Sequence, residues 1–551
     1  MRKHYERILH DSESRVQRYL DIQILDENSP FCGGFPKADS LAEPKTAIYR
    51  ATTMTACYLN PESRYYLDAE LGHRLALALA FVRRSQRPGG YFDLINCNFF
   101  SGPDTAFCTK RLLPAYVYLC KVVDGALPAA PEAKAAAAEL KPKYEVIIRD
   151  AADALCHCGF HTPNHRWAIA SVLMLCAKLF DKPECRTAAE AILKEGNAER
   201  SAGNYNRINN DAMIMLAVAT GDESYYAPVL RNLEMMLTYI DPDDSIFTNN
   251  STRWDMGKKI YPREYYLEYL YMGYTCRKPE LLDAANAIMQ MVERHALRSF
   301  DCLINLMLLP ELAALEHEGS ATPTNYHKYY EGSGIVRCRR GSWSYTILNN
   351  SPSFLFFQHG DFTLTVRIGA SFCEHRNFVP AALAPKDGGY ALHQTMTGWY
   401  YLPFAEKPAT SDWWQMDNAH REKLYGPDMV FDVQVNEVEN GLDIHIVNSG
   451  IDRAPLRVEL AFNAGCRVEN EHFMLEGNDG GGVVVKDGTL VASKGVNGIS
   501  VGPCFAEHNY TAGKEGSMGR MDGCFTAYLT AYSTFDRTIS LRAVPSSYDQ
   551  A

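Results

Sequence analysis

Ser320-Ala-Thr-Pro-Thr324 marks the point at which the chain changes texture. Upstream of it, apolar residues recur at helical spacing through about Tyr5–Leu25, Lys45–Leu59, Pro61–Ser85, Asp104–Val123, Pro131–Cys158, His165–Leu179, Ala188–Lys194, Asn206–Thr220, Ser224–Ile240, Arg263–Cys276, Pro279–Leu297 and Cys302–Glu318. Short connectors rich in Pro, Gly and Asp separate these runs, among them Asn60-Pro61, Gly221-Asp222 and Lys278-Pro279. Roughly a dozen helices in antiparallel pairs can close into a ring, with a buried inner layer and an amphipathic outer one. Downstream come short alternating runs such as Trp343–Leu348, Phe354–Phe357, Phe362–Ile368, Phe431–Val435 and Leu442–Val447, with hairpin turns expected at Asn440-Gly441 and Asp487-Gly488. The expected fold is therefore an α+β multidomain chain: an N-terminal (α/α) toroid over residues 1–325, then a C-terminal antiparallel β-sandwich over residues 326–551.

Composition narrows the function. A chain of 551 residues with a formal charge of −11 and no long basic run is not built for nucleic acid or for a polybasic membrane contact, and an acidic ligand needs a local arginine pocket. The N-terminus lacks the apolar core of a signal peptide, and no run is long and uncharged enough to span a bilayer. Sixteen scattered cysteines without Cys-x-x-Cys clusters fit buried thiols in a reducing compartment, so a cytoplasmic protein is expected. Cys156 and Cys158, with His157 and His161 nearby, have the wrong spacing for a zinc knuckle. No Gly-rich phosphate loop and no acidic calcium loop appears, so neither cofactor nor metal is expected, and a homo-oligomer is compatible with the sequence.

Four connectors carry far more polar and aromatic groups than a tight turn requires. The first, Gly90–Phe107, holds Asn98 and places Asp104 where a helix N-cap belongs. The second is Thr162-Pro-Asn-His-Arg-Trp167, with Asn164, His165, Arg166 and Trp167. The third, Glu199-Arg-Ser-Ala-Gly-Asn-Tyr-Asn-Arg-Ile-Asn-Asn-Asp211, opens onto the apolar Ala212–Ala217 and contributes Glu199, Arg200, Asn204, Tyr205 and Asn206. The free backbone N–H groups of such a helix start also favour an anion. The fourth runs from Asn249 to Gly257 and on to Tyr261-Pro-Arg-Glu264, with Arg253, Trp254, Asp255, Tyr261, Arg263 and Glu264. In an antiparallel ring the inner helices start on one face, so these connectors are expected to meet around one pocket. Guanidinium forks suit a carboxylate or sulfate, and aromatic faces suit the apolar face of a sugar. Each residue also has a plain structural use, as a cap, a surface ion pair or packing.

Asn-His-Arg-Trp opening one helix and Glu-Arg-Ser-Ala-Gly-Asn-Tyr-Asn opening another, on a ring followed by a sandwich, resemble uronate-active carbohydrate enzymes. These are the heparinase II/III-type polysaccharide lyases and the similarly built β-glucuronidases of glycoside hydrolase family 154. The resemblance implies an acidic oligosaccharide or polysaccharide as partner. In the lyases an Asn offsets the uronate charge, a Tyr works on the C5 proton and leaving oxygen, and a His comes from the sandwich; carried over, these are Asn164, Tyr205 and His359 in Gln358-His-Gly-Asp361.

Two mechanisms compete for the pocket. Hydrolysis needs a protonated acid and a second carboxylate, for which Asp104 and Glu199 lead, and β-elimination needs a base and a neutralised carboxylate, for which His165, Tyr205, Asn164 and Arg253 serve. The missing export signal and the unpaired cysteines favour an exo-acting, β-glucuronidase-like hydrolase; a lyase is the alternative, and a non-catalytic glycan-binding protein the third reading.

Overall fold

The computed structural model describes residues 1–37, 41–159, 162–194, 204–512 and 517–546. Met1–Leu237 with Ile246–Thr322 forms one compact unit, and Thr238–Ser245 with Pro323–Ala551 forms a second.

The first unit is built from α1 (Arg2–Ile22), α2 (Pro44–Leu59), α3 (Ala69–Ser85), α4 (Gly102–Val123), α5 (Pro131–Cys156), α6 (Pro163–Phe180), α7 (Pro183–Leu193), α8 (Asn204–Thr220), α9 (Tyr226–Leu237), α10 (Tyr266–Thr275), α11 (Pro279–Arg294), α12 (Leu303–Leu308) and α13 (Pro310–Ala314). Helices α2, α4, α6 and α8 pack side by side in succession, backed by α3, α5, α7 and α9, while α11 backs α10. Each outer helix carries the chain back, so the inner helices run parallel and start on one face. Burial follows the layers: α2 buries residues all round, including Ala47, Ile48, Thr52, Thr53, Met54 and Thr55. Outer α7 buries only Cys185 and Ala189. The Met1 amino group donates to Leu315 O at 2.6 Å, joining the two ends of the helical unit. No helix among the described residues is long and apolar enough to cross a membrane.

Local chemistry moves some expected boundaries. The run expected over Pro61–Ser85 begins in turns, with Leu67 left-handed at φ 51°, and only at Asp68 does a helix start, its carboxylate accepting the Leu71 N–H at 2.8 Å. The run expected over Cys302–Glu318 breaks at Leu309, because Pro310 has no N–H to continue the ladder. Inside the first connector lies an unexpected hairpin of β1 (Phe92–Leu94) and β2 (Asn98–Ser101), held where Asp93 accepts the Phe100 N–H at 2.8 Å and Arg87 pairs with Asp93 at 2.6 Å.

The second unit holds two nine-stranded sheets among its described residues. One runs Met474–Gly477, Cys466–Glu469, Leu490–Lys494, Asn497–Gly502, Phe535–Pro545, Gly441–Gly450, Lys423–Val438, Gly389–Tyr401, Ala382–Lys386. The other runs Gly482–Val484, Cys524–Tyr532, Pro455–Asn463, Phe362–Phe372, Leu355–His359, Trp343–Leu348, Ile335–Arg340, Asn325–Tyr330, with His375–Asn377 beside Phe362–Phe372. Alternate residues of both sheets, such as Val336, Phe357, Leu364, Phe431, Val433, Ile444, Leu460 and Leu541, share one core, which is the sandwich architecture. Among the described residues pairing is antiparallel except where short Gly482–Val484 lies parallel to Cys524–Tyr532 and a single parallel bridge joins Ala506 to Thr530. Asn440, at φ 54°, turns the expected hairpin. Asp487-Gly488 does not turn one: it links Gly482–Val484 in one sheet to Leu490–Lys494 in the other, so the left-handed Gly488 serves a crossover.

Thr238–Ser245 is strapped into this unit by charge. Arg337, 1% exposed, donates to Asp241 Oδ1 at 2.7 Å and to Thr238 O at 3.0 Å, and Ser344 Oγ donates a second bond to Asp241 at 3.1 Å. Arg339 donates to the carbonyls of Ile240 and Asp241, both at 3.3 Å. A buried guanidinium is tolerated only when its donors are answered in this way.

Candidate active site

The site assembles from helix starts. Ser101 caps α4: its hydroxyl accepts the Asp104 N–H at 3.2 Å and donates to Asp104 Oδ2 at 2.8 Å. The other carboxylate oxygen takes Lys45 Nζ at 3.0 Å, delivered from the first turn of α2 just behind Pro44. The same ammonium lies 5.5 Å from the centre of the Phe107 ring. Phe107 in turn meets the His165 ring edge-on at 5.7 Å, so the beginnings of α2, α4 and α6 converge.

His165 is half-buried, and burial pulls its imidazole below the ordinary histidine value; Asp104 opposes this, while Arg253 and Lys45 add to it. The imidazole is thus held in its neutral form, with those three charges as its electrostatic surroundings. Arg253 reaches the next helix as well, its guanidinium 4.9 Å from the centre of the Tyr205 ring on the first turn of α8. Asn164 is 2% exposed, and its Oδ1 has no hydrogen-bond partner among the described residues. Asn98 joins from β2, its amide donating to Ser101 Oγ at 3.2 Å.

A cavity of about 340 Å³ continues from Lys45 and Phe107 into the ring, lined further by Lys110, Arg111, Arg207, Asp211 and Asp301. Each cation there has a carboxylate: Lys110 and Arg207 take Asp211 at 3.2 and 2.8 Å, Arg207 also takes Glu264 at 3.1 Å, and Arg111 takes Asp301 at 2.6 Å. Behind the wall Asn210 donates to Glu268 Oε2 at 2.9 Å. Burial, then the Asp211 charge, pushes the Glu268 carboxyl well above its usual range. Burial works the same way on Asp211, but Lys110 and Arg207 outweigh it and hold that carboxyl low.

Of the residues singled out in the sequence, Asp104, His165, Tyr205, Arg253 and Asn98 come together here. Glu264 lies at the cavity through Arg207. Several others make contacts elsewhere: Arg166 donates to Ile192 O on α7 at 2.9 Å, Asn206 faces Met236 Sδ at 3.6 Å, the Tyr261 ring lies tilted 4.4 Å from that of His295, and Arg263 donates to Arg298 O at 3.2 Å. Trp167 is partly buried. Trp254 is 57% exposed beneath Lys258, and buried Asp255 accepts from Ser251 at 2.6 Å. His359 belongs to the second unit, where its Nδ1 lies 2.9 Å from Gly498 O. Glu199, Arg200 and His161 lie outside the described residues, as does the Asn204 side chain. Cys156 faces Cys185, Sγ to Sγ 3.4 Å. Lys45, Lys110, Arg111 and Asp301 were missed; the visible signal was Lys110-Arg111, two cations inside an otherwise apolar run that must find partners if the helix is buried.

No family model and no curated protein matches the chain. Among solved structures it is similar to a Paenibacillus xanthan lyase, with TM-score 0.55 and 8% identity, over 98% of this chain and 57% of that one. It is similar to heparinase III, with TM-score 0.56 and 9% identity, over 97% and 85% of the two chains. A third likeness is to the Streptomyces coelicolor A3 chondroitin AC lyase solved with chondroitin sulphate, with TM-score 0.52 and 11% identity, over 99% and 80%. The chain spans little more than half of the xanthan lyase it matches. At such identities the likeness is one of fold: a helical toroid followed by a β-sandwich.

Proposed function

We propose that this protein cleaves a glycosidic bond at a uronic acid in an acidic oligosaccharide or polysaccharide, and that it does so by β-elimination. The observation that carries the reading is the meeting of an imidazole biased to its neutral form with a phenol beneath a guanidinium, beside which the chain places the buried Asn164 amide, next in sequence to that imidazole. A uronate gives up its C5 proton only when its carboxylate charge is offset; Arg253 and Asn164 supply that offset. His165 takes the C5 proton, the C4–C5 double bond forms as the C4–O4 bond breaks, and Tyr205 returns a proton to the departing oxygen. That solved structures of like fold are named as a xanthan lyase and a chondroitin AC lyase, beside a heparinase III, supports the same reading.

Hydrolysis draws on a different resource. Asp104 is engaged by Lys45 and Ser101, and Asp211 by two cations. One observation nevertheless favours exo-hydrolysis at glucuronate as a second reading: Asp211 on the cavity wall has its carboxyl held low, while Glu268 behind it has its carboxyl pushed well above the usual range, the opposed shifts a glycosidase asks of its two carboxyls. In that reading Asp104 at the mouth and Glu199, outside the described residues, are the further candidates. Incubation with uronate-terminated oligosaccharides decides. A product absorbing in the ultraviolet as a conjugated unsaturated uronate is expected; free saturated uronic acid would overturn elimination, and binding with neither product would make the protein a glycan-binding one.

A further inference from the structure

His327 and Cys338 stand directly opposite each other on the antiparallel strands Asn325–Tyr330 and Ile335–Arg340, so both side chains leave the sheet on the same side. From the facing sheet comes Glu437, last of the inward row Met429, Phe431, Val433 and Val435, where the pattern calls for an apolar residue. His327 Nδ1 lies 3.7 Å and Cys338 Sγ 3.5 Å from Glu437 Oε2, and the three ligand atoms lie within 4.8 Å of one another. A tetrahedral zinc ion bonds nitrogen and oxygen at about 2.0–2.1 Å and sulfur at about 2.3 Å, which sets an oxygen roughly 3.5–3.6 Å from a sulfur and roughly 3.3–3.4 Å from a nitrogen. The Cys338–Glu437 separation matches the first spacing, and the His327–Glu437 separation of 3.7 Å is wider than the second by about 0.3 Å, a small side-chain movement.

We propose that His327, Cys338 and Glu437 form a binding site for a divalent transition metal of the zinc type, spanning the two sheets of the sandwich and leaving a fourth position for water. The surroundings suit it. Tyr390 OH lies 3.0 Å from His327 Nε2, fixing the ring so that Nδ1 faces inward, as metal-bound histidines are commonly fixed through their second nitrogen. Burial keeps that imidazole below its ordinary value and so able to ligate. Arg340 donates to Glu437 Oε1 at 2.6 Å and Oε2 at 3.0 Å, and Tyr345 OH lies 3.3 Å from Oε2; the ion takes the Oε2 lone pair that Tyr345 approaches, displacing that long contact, while Arg340 keeps its two bonds to the carboxylate. Burial, then Glu437, pushes the Cys338 thiol up to about 12, so binding replaces the thiol proton with the metal and releases one proton to solvent. The rival arrangement is a thiol merely hydrogen-bonded to the carboxylate.

Titration of the full-length chain with cobalt(II) and zinc distinguishes them. The expected result is one equivalent bound with release of a proton, and a thiolate-to-cobalt charge-transfer band that disappears in Cys338→Ser. His327→Ala, at the exposed rim, and Glu437→Gln are expected to weaken binding at least tenfold, and Tyr390→Phe by about tenfold. If Cys338→Ser misfolds, His327→Ala decides. No stoichiometric binding, a band that survives in Cys338→Ser because other cysteines supply it, or an affinity undiminished in His327→Ala, overturns the proposal.

Discussion

Tyr205 and His165 divide the proposed chemistry between a proton given and a proton taken, and each can be tested alone. Tyr205→Phe keeps the ring beneath Arg253 and removes only the hydroxyl, so kcat is expected to fall by roughly 10²–10⁴ with KM little changed. A loss confined to KM in steady-state kinetics would reduce Tyr205 to a binding residue. For His165, burial lowers the imidazole, so the acid limb of kcat/KM should lie below the ordinary histidine range. Lys45 adds to that lowering and engages Asp104, which opposes it. Lys45→Met therefore removes a cation that disfavours imidazolium and frees an anion that favours it, and the limb should move to higher pH. A pH–rate profile that stays in place would detach Lys45 from the base. The sequence revealed the helix-start residues because polar side chains crowd there against an apolar run. It hid Lys45, whose partner Asp104 is 59 residues away, and the cavity cations, whose carboxylates come from other helices.

At the scale of elements, helices and strands announced themselves where burial is periodic. Pro131–Cys156 follows its pattern closely because one face meets a core, and Trp343–Leu348, rich in aromatic and β-branched residues, is a strand buried along its whole length. Boundaries failed where a local backbone event outweighed periodicity, as at Leu67 and Leu309, and the β1–β2 hairpin was hidden because its stability comes from Asp93 and Arg87 rather than from alternation. The strap Thr238–Ser245 was likewise read as the tail of a helix and a loop; its anchor, Arg337, lies 96 residues on from Asp241. Asp241→Ala should therefore cost about 3–5 kcal/mol in unfolding experiments, since it strands a guanidinium that is 1% exposed. A change below about 1 kcal/mol, the usual worth of an exposed pair, would show that water reaches Arg337.

For the whole molecule, charge acts at two ranges. A chain of formal charge −11 repels an acidic polymer from afar, while Arg253 and Lys45 attract it close in. Added salt screens the distant term first, because the screening length shrinks from about 30 Å at 0.01 M to about 10 Å at 0.1 M. The kcat/KM for an acidic oligosaccharide should accordingly rise with modest salt before it falls; a steady decline from the lowest ionic strength would mean that the local field dominates throughout. The strap has a consequence of another kind. Residues 1–322 severed from the rest would keep Asp241 and lose its guanidinium, while residues 323–551 alone would bury Arg337 against nothing. The halves are thus not interchangeable cassettes: a single recombination at their border is expected to yield two fragments, each with half of a broken ion pair.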